Sequence, residues 1–268
     1  MAVADSAPVL RHHPADEPKC TLLTVPGYAD HAGRYIHVGE YFAANSVDFY
    51  ALDVTGHGKA SGRRGHIDSF ADYRRDVVLA LEEVRRNAQG SLFLLGHSLG
   101  GLIVSSTMLH DEPQLAGVLL SSPFLGLSIP VSPSKRAVAG LLSGVWPTLT
   151  MPNNIPAGYL SRDQSVGQAY MHDPLVFRTA TARWFTETIG AINEVTARAA
   201  DFTQPIAVFQ AGNELIADKV AVAAFYGRLG SHDKMYREYP GFYHEILNEI
   251  GKEQVLSDML RWIEERRA

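Results

Sequence analysis

The stretch Leu92-Phe93-Leu94-Leu95-Gly96-His97-Ser98-Leu99-Gly100-Gly101-Leu102-Ile103-Val104 decides how the rest of the chain is read. It sets Gly-x-Ser-x-Gly directly after a hydrophobic strand pattern and directly before an apolar helical run, the context in which the motif has a mechanism. Ser98 then sits on a sharp strand-to-helix turn. A side chain two residues either way would collide with the neighbouring backbone, and Gly96 and Gly100 remove those side chains. The turn lifts the hydroxyl above the sheet and puts the Leu99 N–H at a helix N-terminus, where it can face an oxyanion. Ser98 is therefore the candidate nucleophile.

Outward from this turn, β-rich runs alternate with helical patterns. Residues 20–25, 47–53, 91–96, 117–121, 205–210 and 234–239 read as strands. Several are apolar on both faces, as central parallel strands covered by helices must be. Residues 69–86 place Phe70, Tyr73, Val77, Leu81 and Val84 at helical spacing, with Asp68 or Ser69 as the cap. Residues 253–267 repeat the pattern with Leu256, Met259, Leu260 and Ile263. The expectation is one α/β domain over 1–268, with a mostly parallel central sheet flanked by helices. Between Pro123 and Thr203 no strand is evident, and Pro and Gly are frequent. About eighty residues are too many for a plain loop. Residues 124–192 are expected to form a helical cap inserted over the C-terminal edge of the sheet.

Composition narrows the function. With 268 residues, 46% of them hydrophobic, the chain can bury one large core. A net charge of −5 offers no basic field for nucleic acid. The lone Cys20 has no partner for an intramolecular disulfide and reads as a small core hydrophobe in strand 20–25. Asp5, Asp16 and Glu17 interrupt the first residues, so no signal peptide is expected there. No run of about eighteen uninterrupted apolar residues occurs. A soluble, cytoplasmic protein is the expectation.

A serine nucleophile needs a base, and a base needs an acid to hold its tautomer. Among eleven histidines the best placed is His244, in Tyr239-Pro240-Gly241-Phe242-Tyr243-His244-Glu245 after the last strand. His12 and His13 read as a polar tail, and His110 and His232 as surface positions. His97 flanks the nucleophile with its side chain expected to point away from the substrate. His31, His57 and His66 are expected to shape the pocket floor and its loops. The acid should come from the loop after strand 205–210, where Glu214 and Asp218 are both available. The order Ser, acid, His is the one in which such triads occur on strand-to-helix elbows.

These motifs resemble the monoacylglycerol lipase and lysophospholipase branch of the α/β-hydrolases, over roughly residues 20–268. Pro26-Gly27-Tyr28-Ala29-Asp30-His31-Ala32-Gly33-Arg34-Tyr35 is similar to that family's His-Gly-x-x-Glu-His-x-x-Arg-Tyr oxyanion loop. Asp53-Val54-Thr55-Gly56-His57-Gly58-Lys59-Ala60-Ser61-Gly62 resembles its Asp-x-x-Gly-His-Gly-x-Ser stretch, and 96–101 its Gly-His-Ser-x-Gly-Gly. Leu160-Ser161-Arg162-Asp163, His172-Asp173-Pro174-Leu175 and 239–245 are family-like as well. The resemblance implies oxyanion donors at the backbone N–H groups of Tyr28 and Leu99. It aligns Glu214, thirty residues before His244, with the family's catalytic Asp, and a glutamate can serve in that role. Asp218 is the alternative acid; whichever of the two is not used would cap the helix at 219–229. Pro26 replaces the family's His before the oxyanion glycine, which alters loop rigidity without removing a donor. The opening strands are reduced to about residues 8–12, which leaves that sheet edge thinly covered.

Residues 137–161 carry no charge and include Val138, Leu141, Leu142, Val145, Trp146, Leu149 and Ile155. Gly140, Gly144, Pro147, Pro152 and Pro156 break them too often for a membrane span. They could line an acyl tunnel, touch a lipid surface, or simply fix the cap to the domain. The resemblance implies hydrolysis of a single-chain lipid ester, such as a monoacylglycerol or lysophospholipid, through an acyl-enzyme on Ser98. It implies no metal and no cofactor. The alternatives are a short-chain carboxylesterase or thioesterase, a peptidase (for which no acidic amine pocket is evident), and a non-catalytic ligand-binding relative.

Overall fold

Alternate residues of a strand face opposite sides of a sheet, so strands apolar at every position require helices on both faces. The computed structural model describes residues 7–128, 133–153 and 155–267, the side chains of 133–138 excepted, and it meets that requirement. In chain order the strands are β1 (Val9–His13), β2 (Cys20–Val25), β3 (Val47–Asp53), β4 (Ser91–His97), β5 (Gly117–Ser121), β6 (Thr150–Pro152), β7 (Thr179–Thr181), β8 (Ile206–Ala211) and β9 (Lys234–Tyr239). The α-helices are α1 (Ile36–Ala44), α2 (Ala71–Asn87), α3 (Leu99–His110), α4 (Pro133–Val145), α5 (Gln164–His172), α6 (Ala182–Ala197), α7 (Lys219–Arg228) and α8 (Lys252–Glu264).

The main sheet runs β1-β3-β2-β4-β5-β8-β9, parallel throughout except for β1, which pairs antiparallel with β3. Leu23 and Val25 of β2 and Leu92 and Leu94 of β4 pack under α2, α3, α6 and α7. Cys20 and Leu22 of β2 and Phe93 and Leu95 of β4 face α1 and α8. Cys20 is a fully buried free thiol. The chain leaves β2 for β3 on one side and returns to β4 on the other. The loops after β2 and β4 therefore diverge and open a crevice at the strands' C-terminal ends, where sites in such sheets are found.

Three expectations need correction. The region without evident strands contains β6 and β7, which pair antiparallel as a separate ribbon. At three residues each, they are too short for a periodic pattern. Helix α2 begins at Ala71, and Ser69, one of the two expected caps, accepts the Ala71 N–H on its hydroxyl at 3.3 Å while Asp72 reaches back to the Ser69 N–H. Glu187 of α6 adds a tertiary contact that local spacing could not reveal, holding the Phe70 N–H at 3.0 Å. His12 and His13 are not a tail: they belong to β1, where His12 stacks on Tyr50 at 4.1 Å and bonds Asp48. Val138, named with the apolar stretch, has its side chain outside the described residues, as do Met1 to Ser6 entirely. The third correction concerns His97 and belongs with the site.

Candidate active site

The elbow is explained by what a Cβ would meet. At Gly96 it would run into the Gly100 carbonyl, and at Gly100 into the carbonyls of Val25 and Pro26. Ser98 itself lies at φ 52, ψ −118, a region that residues with a side chain rarely occupy and that persists only where the surroundings enforce it. The Ser98 N–H is held by the Ser121 carbonyl at 3.0 Å, and its own carbonyl accepts from Gly101, Leu102 and Phe124. The hydroxyl is thus presented by an over-determined turn between β4 and α3.

Three side chains from three strand ends meet there. Ser98 Oγ lies 2.8 Å from His244 Nε2, and His244 Nδ1 lies 2.8 Å from Glu214 Oε2. Glu214 comes from the loop after β8 and His244 from the loop after β9. The Glu214 carboxylate also accepts the N–H groups of Ile216 at 2.8 Å and Ala217 at 3.1 Å. Asp218 stands elsewhere, accepting the Val220 and Ala221 N–H groups at the start of α7. Burial alone would lower the pKa of His244, but the Glu214 charge and hydrogen bond outweigh it and raise it above the ordinary 6.5. Burial would raise that of Glu214, yet His244 and the two N–H donors hold it below its usual value. A base in this state can take a proton from a serine hydroxyl, and the carboxylate can stabilise the imidazolium that results.

Gly27 lies against the nucleophile: a Cβ there would stand 3.2 Å from Ser98 Cβ. In the loop that follows, Asp30 N–H returns to the Gly27 carbonyl and Arg34 N–H to that of His31, while Tyr28 N–H takes part in neither. Leu99 is the first residue of α3, where a backbone N–H has no acceptor inside the helix. The Tyr28 side chain reaches upward and donates to the Thr179 carbonyl of β7 at 2.7 Å.

Sequence reasoning gave His97 the wrong direction. Its ring lies 5.0 Å from that of His244 and lines the well beside Ser98. The pleat explains this: His97 follows Phe93 and Leu95 on the face against which the 244–247 turn packs. Burial first, and then His244, push its pKa down to about 4, so it is neutral at pH 7 and bonds Ser121 through Nδ1. His31 bonds Asp173 at 2.8 Å and His66 bonds Thr181 at 2.8 Å, and both join the lower loops to the segment above. His57 is buried among Tyr28, Tyr73 and Phe177.

A buried ion cluster also went unread. Arg34 forms a two-pronged bond with Glu245, at 2.9 and 2.7 Å, and a third bond with Asp30 at 3.0 Å. Asp30 and Glu245 are buried, the Arg34 side chain is only 9% exposed, and Tyr35 donates to Asp30 as well. Each residue stands inside a motif quoted above, but only the fold makes them neighbours across more than two hundred positions of chain.

Two spaces adjoin Ser98. A well of about 30 Å3 is lined by Asp30, His97, Leu160, Tyr170, His244 and Glu245. A cleft of about 420 Å3 is lined by Tyr28, Phe124, Met151, Ile155, Trp184, Phe185 and Ile216, with no charged side chain among its described lining residues.

Comparison with known proteins gives the same picture. Residues 16–251 match the family described as serine aminopeptidase, S33. Phospholipase YtpA of Bacillus subtilis is 32% identical over 243 residues, 90% of this chain and 93% of that protein. The monoacylglycerol lipase of Mycolicibacterium smegmatis is 32% identical over 253 residues, 93% and 90% of the two chains. Among solved structures, the monoacylglycerol lipase of Paleococcus ferrophilus superposes with a TM-score of 0.87 at 26% identity, covering 96% of this chain and 98% of that one. On its match and its architecture, the chain belongs to the serine aminopeptidase S33 family and has the α/β-hydrolase fold.

Proposed function

We propose that this chain hydrolyses carboxylic esters of single-chain lipids, monoacylglycerols or lysophospholipids, through an acyl-enzyme on Ser98. The observation that carries the reading is the Ser98–His244–Glu214 chain of 2.8 Å contacts opening into an uncharged cleft of about 420 Å3. In this reading Ser98 Oγ attacks the ester carbonyl as His244 Nε2 takes its proton. Glu214 stabilises the imidazolium, and the Tyr28 and Leu99 N–H groups receive the oxyanion. His244 then protonates the departing alcohol, and water, activated by the same histidine, releases the acid.

The apolar cleft suits an acyl chain. The family description names a peptidase. An aminopeptidase needs a fixed negative charge for the substrate ammonium, whereas the cleft has none and both carboxylates of the well are already bonded to Arg34. Relatives named as a phospholipase and a monoacylglycerol lipase support the lipid ester.

Residues 124–192 act in this proposal as a cap. Leu141, Val145 and Trp146, at 68, 78 and 59% exposed, give it an apolar face for peripheral contact with lipid surfaces. No described helix is long and apolar enough to cross a membrane, and a cytoplasmic location remains part of the proposal.

The test is fluorophosphonate labelling with turnover of esters from about two to sixteen carbons. Ser98→Ala should abolish labelling and lower turnover by about 10⁴-fold or more while the fold stays intact. Unchanged turnover in that variant sinks the reading. A preference for two to four carbons makes the enzyme a short-chain esterase, and a wild type that neither labels nor turns over any ester is a binding protein.

A further inference from the structure

His244 must hold two ring nitrogens on two partners at once, yet the turn that carries it has no regular structure to stiffen it. Residues 240–251 lie between β9 and α8, and Gly241 and Gly251, at φ 80 and φ 89, stand near their two ends. Alignment of such a segment depends on buried hydrogen bonds made from outside it.

One fully buried carboxylate of the segment itself, that of Glu249, receives several of them from Ser161 and Arg162 and also bonds the Tyr243 N–H within the segment. Glu249 Oε2 accepts the Tyr243 N–H at 2.9 Å and the Arg162 N–H at 3.1 Å. Its Oε1 accepts the Ile250 N–H at 2.7 Å and the Ser161 hydroxyl at 3.2 Å, with Arg162 Nε at 3.3 Å. Beside it, the Glu245 N–H donates to the Leu160 carbonyl at 2.8 Å. Both chain neighbours of His244 are therefore tied, directly or through Glu249, to residues 160–162. Only an ionised carboxylate has the acceptor capacity to hold this many donors, and charge-assisted bonds are the stronger kind.

We propose that Glu249 is a positioning residue: through the Tyr243 N–H and residues 160–162, it keeps His244 where Nε2 meets Ser98 and Nδ1 meets Glu214. This rests on the triad reading above.

Glu249→Gln tests this, because it keeps the volume and replaces one acceptor oxygen with a donor. The variant should fold, as judged by circular dichroism and Tm. Its kcat on a soluble ester should fall about 10- to 100-fold with KM little changed, the pattern of a misaligned catalytic group. The downfield proton resonance of His244 Nδ1–H should shift or broaden. Glu249→Asp, which keeps the charge, should lose less, and it carries the test if the Gln variant does not fold. Folded variants with kcat within about twofold of wild type and an unmoved resonance would overturn the proposal. The resonance needs no turnover. If wild type proved inactive, the triad reading would fall, and the same spectra would still decide whether Glu249 orients His244.

Discussion

From Leu92 to Leu109, through β4, the elbow and α3, every residue is buried, whereas the segment above it leaves Leu141, Val145 and Trp146 largely in solvent. The first region is shaped by backbone collisions that leave no room for a methyl group. The second is shaped by apolar surface with few fixed neighbours: a Cβ at Gly140 or Gly144 would touch nothing. The contrast teaches where tolerance lies. Ser98 sits where sterics permit one geometry, whereas α4 offers surface on which a side chain can be added without a collision.

The largest effect should come from the acid that completes the rigid half. Glu214→Ala is expected to lower kcat by about 10³-fold or more, since an unsupported histidine loses its tautomer. Asp218→Ala should leave kcat nearly unchanged and cost about 1 kcal/mol of stability through the lost cap of α7. Steady-state kinetics and thermal melts on the pair check this, and the opposite pattern would transfer the role to Asp218.

Glycines sharpen the steric side. Gly100→Ala should cost about 3 kcal/mol or more, because the new methyl meets the Val25 and Pro26 carbonyls. Gly140→Ala, on the exposed side of α4, should stabilise by about 0.5 to 1 kcal/mol. Chemical denaturation of both variants would break the comparison if their signs agreed.

The pH profile is next in size. The base works as the neutral imidazole, and the folded protein raises the pKa of His244 above 6.5. Activity should therefore fall as pH drops through that raised value, at a higher pH than for an ordinary histidine. Removing the Glu214 charge with Glu214→Gln should move this limb of kcat/KM to lower pH, even as the rate falls. A limb that stays in place would mean that Glu214 does not set it.

The smallest effect should come from the open half. Replacing Leu141, Val145 and Trp146 with serine should slow hydrolysis of vesicle-borne monoacylglycerol by about three- to tenfold and spare a soluble short ester. Equal effects on both substrates would place the patch in folding instead of surface contact.

The sequence alone carried the elbow, the strand positions and the choice of His244 as a candidate. These follow from local rules: a pleat repeats every two residues, a helix every three or four, and a tight turn excludes a side chain within two positions. The family motifs around Asp30, Arg34 and Glu245 were visible too, though their mutual contacts were not. The β6–β7 ribbon was misread because each strand is fixed by a partner about thirty positions away along the chain.

Tertiary structure decided the rest. The order of strands in the sheet, not spacing along the chain, brings the ends of β4, β8 and β9 together and leaves Glu214 against His244 while Asp218 stays on α7. It turns His97 into the well beside Ser98, where its side chain was expected to point away from the substrate, and it sets Glu249 beneath residues 160–162. The physical reason is one of range. Backbone sterics act over a few residues and are written in them, whereas hydrogen bonds and ion pairs act between whatever atoms the folded sheet makes neighbours.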